Sequence, residues 1–192
     1  MLKNCICVIW RKEGERGGTL HCNLTVRLLT KNTQKRSQML RAHPGEVCFP
    51  GGMVSEVDED ETIVATSLRE MSEEIGVRES DVNILGVLRC NWSEVKAITG
   101  VSVTPVIGFV GELNNTTLNP NADEVEEVFT VPLSEILKKS NWDVSEIDGT
   151  PVFTGGPYKV WGLTGFILNK FMVDVMARYK INTLKPNLVE GK

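Results

Sequence analysis

The sequence is poor in the residues that mark several common classes of protein. Its 192 residues include five cysteines, two histidines and 6% aromatic residues. Without a CxxC pair, five cysteines do not make a disulfide framework or a zinc site, and two histidines cannot build a multi-histidine metal centre. We therefore expect the cysteines to be small buried side chains of a protein in a reducing compartment.

Long apolar runs and an excess of positive charge are also missing. The apolar run near the N-terminus, Cys5 to Trp10, ends at Arg11. It is far shorter than the roughly 20 residues that cross a bilayer and too short for a signal-peptide core, and residues 1–10 have too few Arg and Ser for the transit peptide of an organelle. The net charge of −4 argues against a protein that coats nucleic acid. We expect no membrane or nucleic-acid partner and, by default, a cytoplasmic location, while the oligomeric state stays open.

What the sequence does contain is typical of a globular protein. With 41% hydrophobic and 24% charged residues, it predicts a single domain over residues 1–192. The predicted strands are 2–10, 22–30, 46–49, 82–90, 101–110 and 125–131, and the predicted helices are 61–75, 132–137 and 163–179. The polar segment 11–18 is interpreted as the turn of a hairpin, and strand 101–110 is apolar enough for burial on both faces. Interleaved strands and helices indicate an α/β or α+β sandwich.

The helix predicted at 61–75 carries an apolar stripe and an acidic cluster. The apolar stripe consists of Val64, Leu68, Met71 and Ile75. Gly76 follows as a C-cap. Glu70 and Glu74 are four residues apart and therefore neighbours on one side of the helix, with Glu73 between them and away from the apolar stripe.

These clustered carboxylates need a positive partner, because like charges four residues apart cost a few tenths of a kcal/mol. Arg69 is one candidate. A hard divalent cation is the other, since Mg²⁺ takes carboxylate oxygens and leaves its remaining positions to water and substrate phosphates. A charged surface helix is the structural alternative, whereas the metal interpretation points to cleavage of a diphosphate.

The helix and the loop before it resemble the Nudix box, GX5EX7REUXEEXGU, in which U is an apolar residue. Residues 69–77 match the second half of the box at every position, and Glu61 keeps the family's spacing from it. The first glycine of the box would fall on Ser55, whereas this sequence has Gly51 and Gly52 a few residues earlier. We therefore expect a longer loop before the helix.

The resemblance implies a mixed β-sheet packed between helices and a requirement for Mg²⁺ or Mn²⁺. The implied metal ligands are Glu70, Glu73 and Glu74, and the implied catalytic residues are Arg69, Glu73, Glu74 and Glu124. Arg69 would orient the box by pairing with one of its carboxylates. The family often adds a glutamate from a downstream loop, and Glu124 is preferred over Glu126 and Glu127 because it precedes the predicted strand. Either Glu73 or Glu124 would accept the proton of the attacking water.

The segment before the box resembles the signature of the coenzyme A diphosphatase branch, LLTxR[SA]x3Rx3Gx3FPGG. Leu28-Leu29-Thr30 opens it, and the spacing is unbroken from Arg36 to the Phe-Pro-Gly-Gly at 49–52. Four extra residues separate the two parts, and residues 119–125 and 160–164 also resemble this branch. Arginine suits bidentate contacts with phosphate, and an acidic protein needs such a basic patch to hold an anionic substrate. The predicted substrate-binding residues are Arg36, Arg41, His43, Gly51 and Gly52.

The reaction that this resemblance implies is hydrolysis of the diphosphate bond of coenzyme A or its derivatives. The products would be 3′,5′-ADP and 4′-phosphopantetheine or its acylated form. Another Nudix substrate (ADP-ribose, NADH or a capped RNA end) is the first alternative. A non-catalytic nucleotide sensor, against which the intact acidic cluster argues, and a plain interaction protein are further alternatives. The resemblance also allows a peroxisomal or mitochondrial location.

Overall fold

The computed structural model describes residues 3–16, 19–29, 47–54, 62–90, 102–110 and 118–177. Three of the predicted substrate-binding residues, Arg36, Arg41 and His43, lie outside the described residues. So does Glu61 of the resemblance to the box.

The described chain alternates between strands and helices. The strands are β1 (Lys3–Arg16), β2 (Thr19–Leu29), β3 (Val47–Cys48), β4 (Gly51–Met53), β5 (Val82–Val87), β6 (Ser102–Val110), β7 (Val125–Pro132), β8 (Trp142–Val144) and β9 (Pro151–Phe153). The α-helices are α1 (Ile63–Ile75), α2 (Leu133–Ile136) and α3 (Gly162–Phe171), and α3 continues as a π-helix (Met172–Ala177). Short 3₁₀ helices lie at Glu79–Asp81 and Lys139–Asn141. Among these residues, none of the helices has the length and apolar content needed to cross a bilayer.

The main sheet is mixed, as predicted. Its strand order is β3-β2-β1-β6-β5, with β4 also paired to β1 and β7 also paired to β2. Strand β1 runs antiparallel to β2 and parallel to β6, where Cys5 pairs with Thr104. A separate two-stranded sheet joins β8 and β9.

The first hairpin differs from its prediction. The prediction of a turn over residues 11–18 was wrong, because β1 continues to Arg16 and Lys12 pairs with Cys22. In an antiparallel ladder the backbone N–H and C=O groups find their partners whatever the polarity of the side chains. The pairing shifts register between Glu13 and Arg16, which shows an irregularity before the hairpin closes.

Helices α1 and α3 contribute to separate buried clusters. One cluster includes Val103, Ile107, Phe153, Ile167 and Phe171, and the other is Met71, Ile75, Val77 and Val110. Because alternate residues of a strand point to opposite faces, Val103 and Ile107 of β6 face the α3 cluster and Val110 faces the α1 cluster. Strand β6 is therefore buried on both faces, as predicted, and the sheet lies between helices.

Candidate active site

Helix α1 is capped at both ends, by a threonine side chain at its N-terminus and by a glycine at its C-terminus. At the N-cap, Thr62 Oγ1 accepts a hydrogen bond of 3.1 Å from Ala65 N. At the other end, Gly76 adopts a φ of 73° and its N–H donates to Ser72 O at 3.1 Å. The predicted C-cap is confirmed, since this left-handed conformation favours glycine.

Helix α1 buries polar as well as apolar side chains. Its buried residues are Thr66, Ser67, Glu70, Met71, Glu74 and Ile75. The Thr66 and Ser67 hydroxyls donate to backbone oxygens one turn back, at 3.0 and 2.9 Å, so they are buried with partners. Glu70 and Glu74 are each only 3% exposed. A buried carboxylate is costly unless it has a partner or binds a metal, so the groups around Glu70 and Glu74 determine how their burial is tolerated.

The glycines of β4 lie directly against these two carboxylates. Gly51 N donates a hydrogen bond of 3.2 Å to Glu74 Oε2. A Cβ atom placed on Gly52 would lie 2.8 Å from Glu70 Oε2 and closer still to its Cδ and Oε1. Gly51 and Gly52 are thus brought together with the acidic helix, while their predicted role in substrate binding stays a prediction.

Arg69 bridges the buried and exposed parts of the acidic cluster. Its Nη1 lies 3.1 Å from Glu70 Oε1 and 2.9 Å from Glu73 Oε2. The Glu73 side chain is 50% exposed, so it is separated from the buried pair and turned towards the guanidinium. Arg69 therefore does pair with box carboxylates, although one guanidinium cannot neutralise three of them.

The acidic residues fit a divalent cation by their chemistry. Carboxylate oxygens are the ligands that Mg²⁺ and Mn²⁺ prefer, and Glu70 and Glu74 present two of these groups one helical turn apart. Among the residues that the structure describes, no three His, Cys, Asp or Glu side chains converge as a metal site. The pair fits as part of a ligand set, whereas joint binding by Glu70, Glu73 and Glu74 stays a prediction.

The loop that carries Glu124 is fastened to the C-terminal end of α1. Asn119 N donates to Ile75 O at 3.0 Å, and Asn121 N donates to Glu74 O at 2.9 Å. The carbonyl oxygen of Asn121 in turn accepts from Glu124 N at 3.0 Å. The backbone of Asn121 therefore links Glu124 to the C-terminal end of the acidic helix.

The roles of Asn119 and Asn121 in this attachment were not predicted from the sequence. The signal was present in the turn-forming composition of residues 119–124, Asn-Pro-Asn-Ala-Asp-Glu. Asn121 Oδ1 accepts from Asp123 N at 3.1 Å, which is the local bond that makes asparagine frequent in turns.

The two other candidate glutamates, Glu126 and Glu127, are exposed residues of β7. Tyr158 Oη donates a hydrogen bond of 2.6 Å to Glu127 Oε2. This bond and the charge of that carboxylate raise the pKa of Tyr158. Glu127 is thus engaged in a surface contact, while the preference for Glu124 stays a prediction.

Comparisons with known proteins identify related sequences. The NUDIX domain family matches residues 24–148. The mitochondrial coenzyme A diphosphatase NUDT8 of Homo sapiens is 36% identical over 152 residues, which are 76% of this chain and 61% of that protein. The peroxisomal coenzyme A diphosphatase NUDT7 of Mus musculus is 43% identical over 122 residues, 64% of this chain and 44% of that protein. The chain therefore spans less than two thirds of the length of either relative.

A solved structure shows the same fold. The crystal structure of a mutT/nudix family protein from Listeria innocua aligns with a TM-score of 0.55 over 93% of this chain and 96% of that one, at 14% identity. The prediction of one domain over residues 1–192 stays a prediction. The family match, the relatives and the fold together show that the chain belongs to the Nudix hydrolase family, in which it resembles the coenzyme A diphosphatases.

Proposed function

We propose that the protein hydrolyses the diphosphate bond of coenzyme A or an acyl derivative, giving 3′,5′-ADP and 4′-phosphopantetheine or its acylated form. The observation that carries the proposal is the buried carboxylate pair Glu70 and Glu74, held against Gly51 and Gly52. The substrate is supported by similarity to a coenzyme A diphosphatase over 76% of the chain.

Nudix hydrolases typically depend on a divalent cation. Bound Mg²⁺ or Mn²⁺ supplies charge neutralisation for a diphosphate and for its developing leaving group. In this protein Glu70 and Glu74 would provide carboxylate oxygens from the buried face of α1, with Glu73 from its exposed edge. Arg69 would hold Glu70 and Glu73 in place through its ion pairs, and Glu73 or Glu124 would accept the proton of the attacking water.

The basic residues Arg36, Arg41 and His43 are proposed to hold the phosphates. Strand β2 ends where Leu29 pairs with Val125, and β3 begins where Val47 pairs with Leu28. Leu29, the last described residue before these cations, therefore pairs with the residue that follows Glu124. A protein with a net charge of −4 needs such local cations to attract an anionic substrate.

Replacing Arg41 by alanine is expected to raise the KM for coenzyme A by about tenfold or more, with a smaller effect on kcat. A charge-assisted hydrogen bond to phosphate is worth roughly 1.5–3 kcal/mol, and the substrate makes it before and during the reaction. Arg89→Ala, which removes an exposed arginine with no predicted role, is the matched control in steady-state kinetics. An unchanged KM in Arg41→Ala would exclude Arg41 from phosphate binding.

Incubation with coenzyme A and Mg²⁺ or Mn²⁺ is expected to release 3′,5′-ADP and phosphopantetheine, and excess EDTA is expected to stop the release. Mass spectrometry identifies the products. A parallel panel of ADP-ribose, NADH and capped RNA measures the alternatives at equal concentration. Faster turnover of one of these would contradict the proposed substrate. No metal-dependent turnover of any diphosphate would favour the plain interaction protein.

The similarity to the two coenzyme A diphosphatases also supports proposals about the partner and the cellular location of the protein. The proposed partner is a small molecule, and no nucleic-acid or membrane partner is proposed. The names of the two relatives place those proteins in mitochondria and peroxisomes. An organelle is therefore the proposed alternative to the cytoplasm, and fractionation of cells that express the full-length protein distinguishes the two.

A further inference from the structure

We propose that Gly52 is a positioning residue for Glu70, because its missing side chain leaves the space that the Glu70 carboxylate occupies. A Cβ at position 52 would lie 2.8 Å from Glu70 Oε2 and closer to Cδ and Oε1, distances that real Cβ atoms do not show. The inference rests on the proposed function, since the position of Glu70 matters most if this carboxylate binds the metal.

The backbone of Gly52 does not need a glycine for its own conformation. The described glycines with positive φ are Gly76, Gly86, Gly149 and Gly162, and Gly52 is not among them. An alanine at position 52 would therefore strain no backbone dihedral. The three atoms nearest to its Cβ would all belong to the end of the Glu70 side chain, so the collision displaces the carboxylate and not the strand.

The Glu70 carboxylate has little room in which to move. The residue is 3% exposed, and Oε1 is already engaged with Arg69 Nη1 at 3.1 Å. Displacing the carboxylate therefore disturbs this ion pair as well as the direction in which the oxygens point. A ligand that is displaced in this way no longer presents its oxygens beside those of Glu74.

Strand β4 acts as a fixed support for both carboxylates. It pairs with β1 through Cys5–Gly52 and Ile6–Gly51, so its backbone is held by the main sheet. The N–H of Gly51 donates a hydrogen bond to Glu74 Oε2, and the absence of a Cβ on Gly52 leaves room for the Glu70 carboxylate. The two glycines thereby set where the two carboxylates lie relative to each other.

The test is Mn²⁺ binding to the purified full-length protein without substrate, measured by electron paramagnetic resonance of the free ion. Gly52→Ala is expected to raise the Kd for Mn²⁺ by about tenfold or more, as loss of a group that orients a metal ligand typically does. Gly155→Ala is the matched control, because a Cβ there would collide with another side chain, that of Asn141. It is expected to keep the wild-type Kd, although both variants lower the melting temperature modestly.

A second variant tests whether Gly52 acts through Glu70. Glu70→Asp shortens the side chain by one methylene and relieves the collision, so adding Gly52→Ala to it is expected to cost less Mn²⁺ affinity than in the wild-type background. If Gly52→Ala alone does not fold, the double variant is expected to fold, and its failure to do so would overturn the inference. Wild-type affinity in a folded Gly52→Ala would overturn it too. A wild-type protein that binds no Mn²⁺ would overturn the proposed metal site and this inference together.

Discussion

Glu74→Gln is expected to reduce turnover by about a thousandfold, and Glu70→Gln by a similar factor, because an amide has the shape of the carboxylate without its charge. A bound cation contributes several kcal/mol to transition-state stabilisation, and each 1.36 kcal/mol is a factor of ten in rate. The assay is metal-dependent release of 3′,5′-ADP from coenzyme A under saturating conditions.

The fold is expected to survive both substitutions. Glu70 and Glu74 are buried like charges on neighbouring turns, so neutralising either one removes repulsion in the metal-free protein, although Glu70→Gln also gives up the ion pair with Arg69. The melting temperature without metal should therefore stay at or above that of the wild type in Glu74→Gln and close to it in Glu70→Gln. Glu146→Gln, at an exposed turn residue, is the matched control and should change neither activity nor melting temperature. Wild-type turnover in Glu70→Gln or Glu74→Gln would refute the assignment of these residues as metal ligands.

Gly76→Ala is expected to lower both stability and turnover, and to do so by more than Gly149→Ala. Both glycines adopt the left-handed backbone conformation, with φ of 73° and 69°, so alanine lowers the stability by about 1–2 kcal/mol at either position. A Cβ on Gly149 meets nothing within 4 Å, whereas a Cβ on Gly76 would lie 2.8–2.9 Å from Cβ, N and O of Asn119. Only Gly76→Ala must therefore push Asn119 away from the end of α1.

The additional loss of stability expected for Gly76→Ala comes from the displacement of Asn119. Moving Asn119 breaks its bond to Ile75 O and strains the bond from Asn121 N to Glu74 O, each worth about 1 kcal/mol. The expected free energy of unfolding in urea is thus about 2 kcal/mol lower for Gly76→Ala than for Gly149→Ala. Turnover should fall only in Gly76→Ala, because this loop carries Glu124. Equal losses in the two variants would show that the loop adapts without leaving the helix.

Local patterns in the sequence were enough to predict α1 and its cap. Met71 and Ile75 mark the core side of the helix, and Gly76 marks its end, because both signals act within a few residues. The burial of Thr66 and Ser67 could not be predicted in this way. Their hydroxyls are satisfied within the helix, so they resemble exposed residues until the sheet that covers them is known.

Strand β4 was missed for a related reason. Gly51 and Gly52 read as a turn, since glycine disfavours a strand in isolation. Their strand conformation depends on pairing with β1, from a distant part of the sequence. The division of the acidic cluster into a buried pair and an exposed Glu73 depends on the same contact, and helical spacing alone could not reveal it.

The parallel pairing of β1 with β6 sets the order in which the protein can assemble during synthesis. Cys5 pairs with Thr104, across more than half of the chain, so closing this contact carries a large loop entropy and makes folding slow. The β1–β2 hairpin leaves the ribosome early, while one edge of β1 stays unpaired until Ser102–Val110 has been made. An open strand edge invites pairing with other chains, so this interval is when a nascent copy is most exposed to aggregation and most in need of a chaperone.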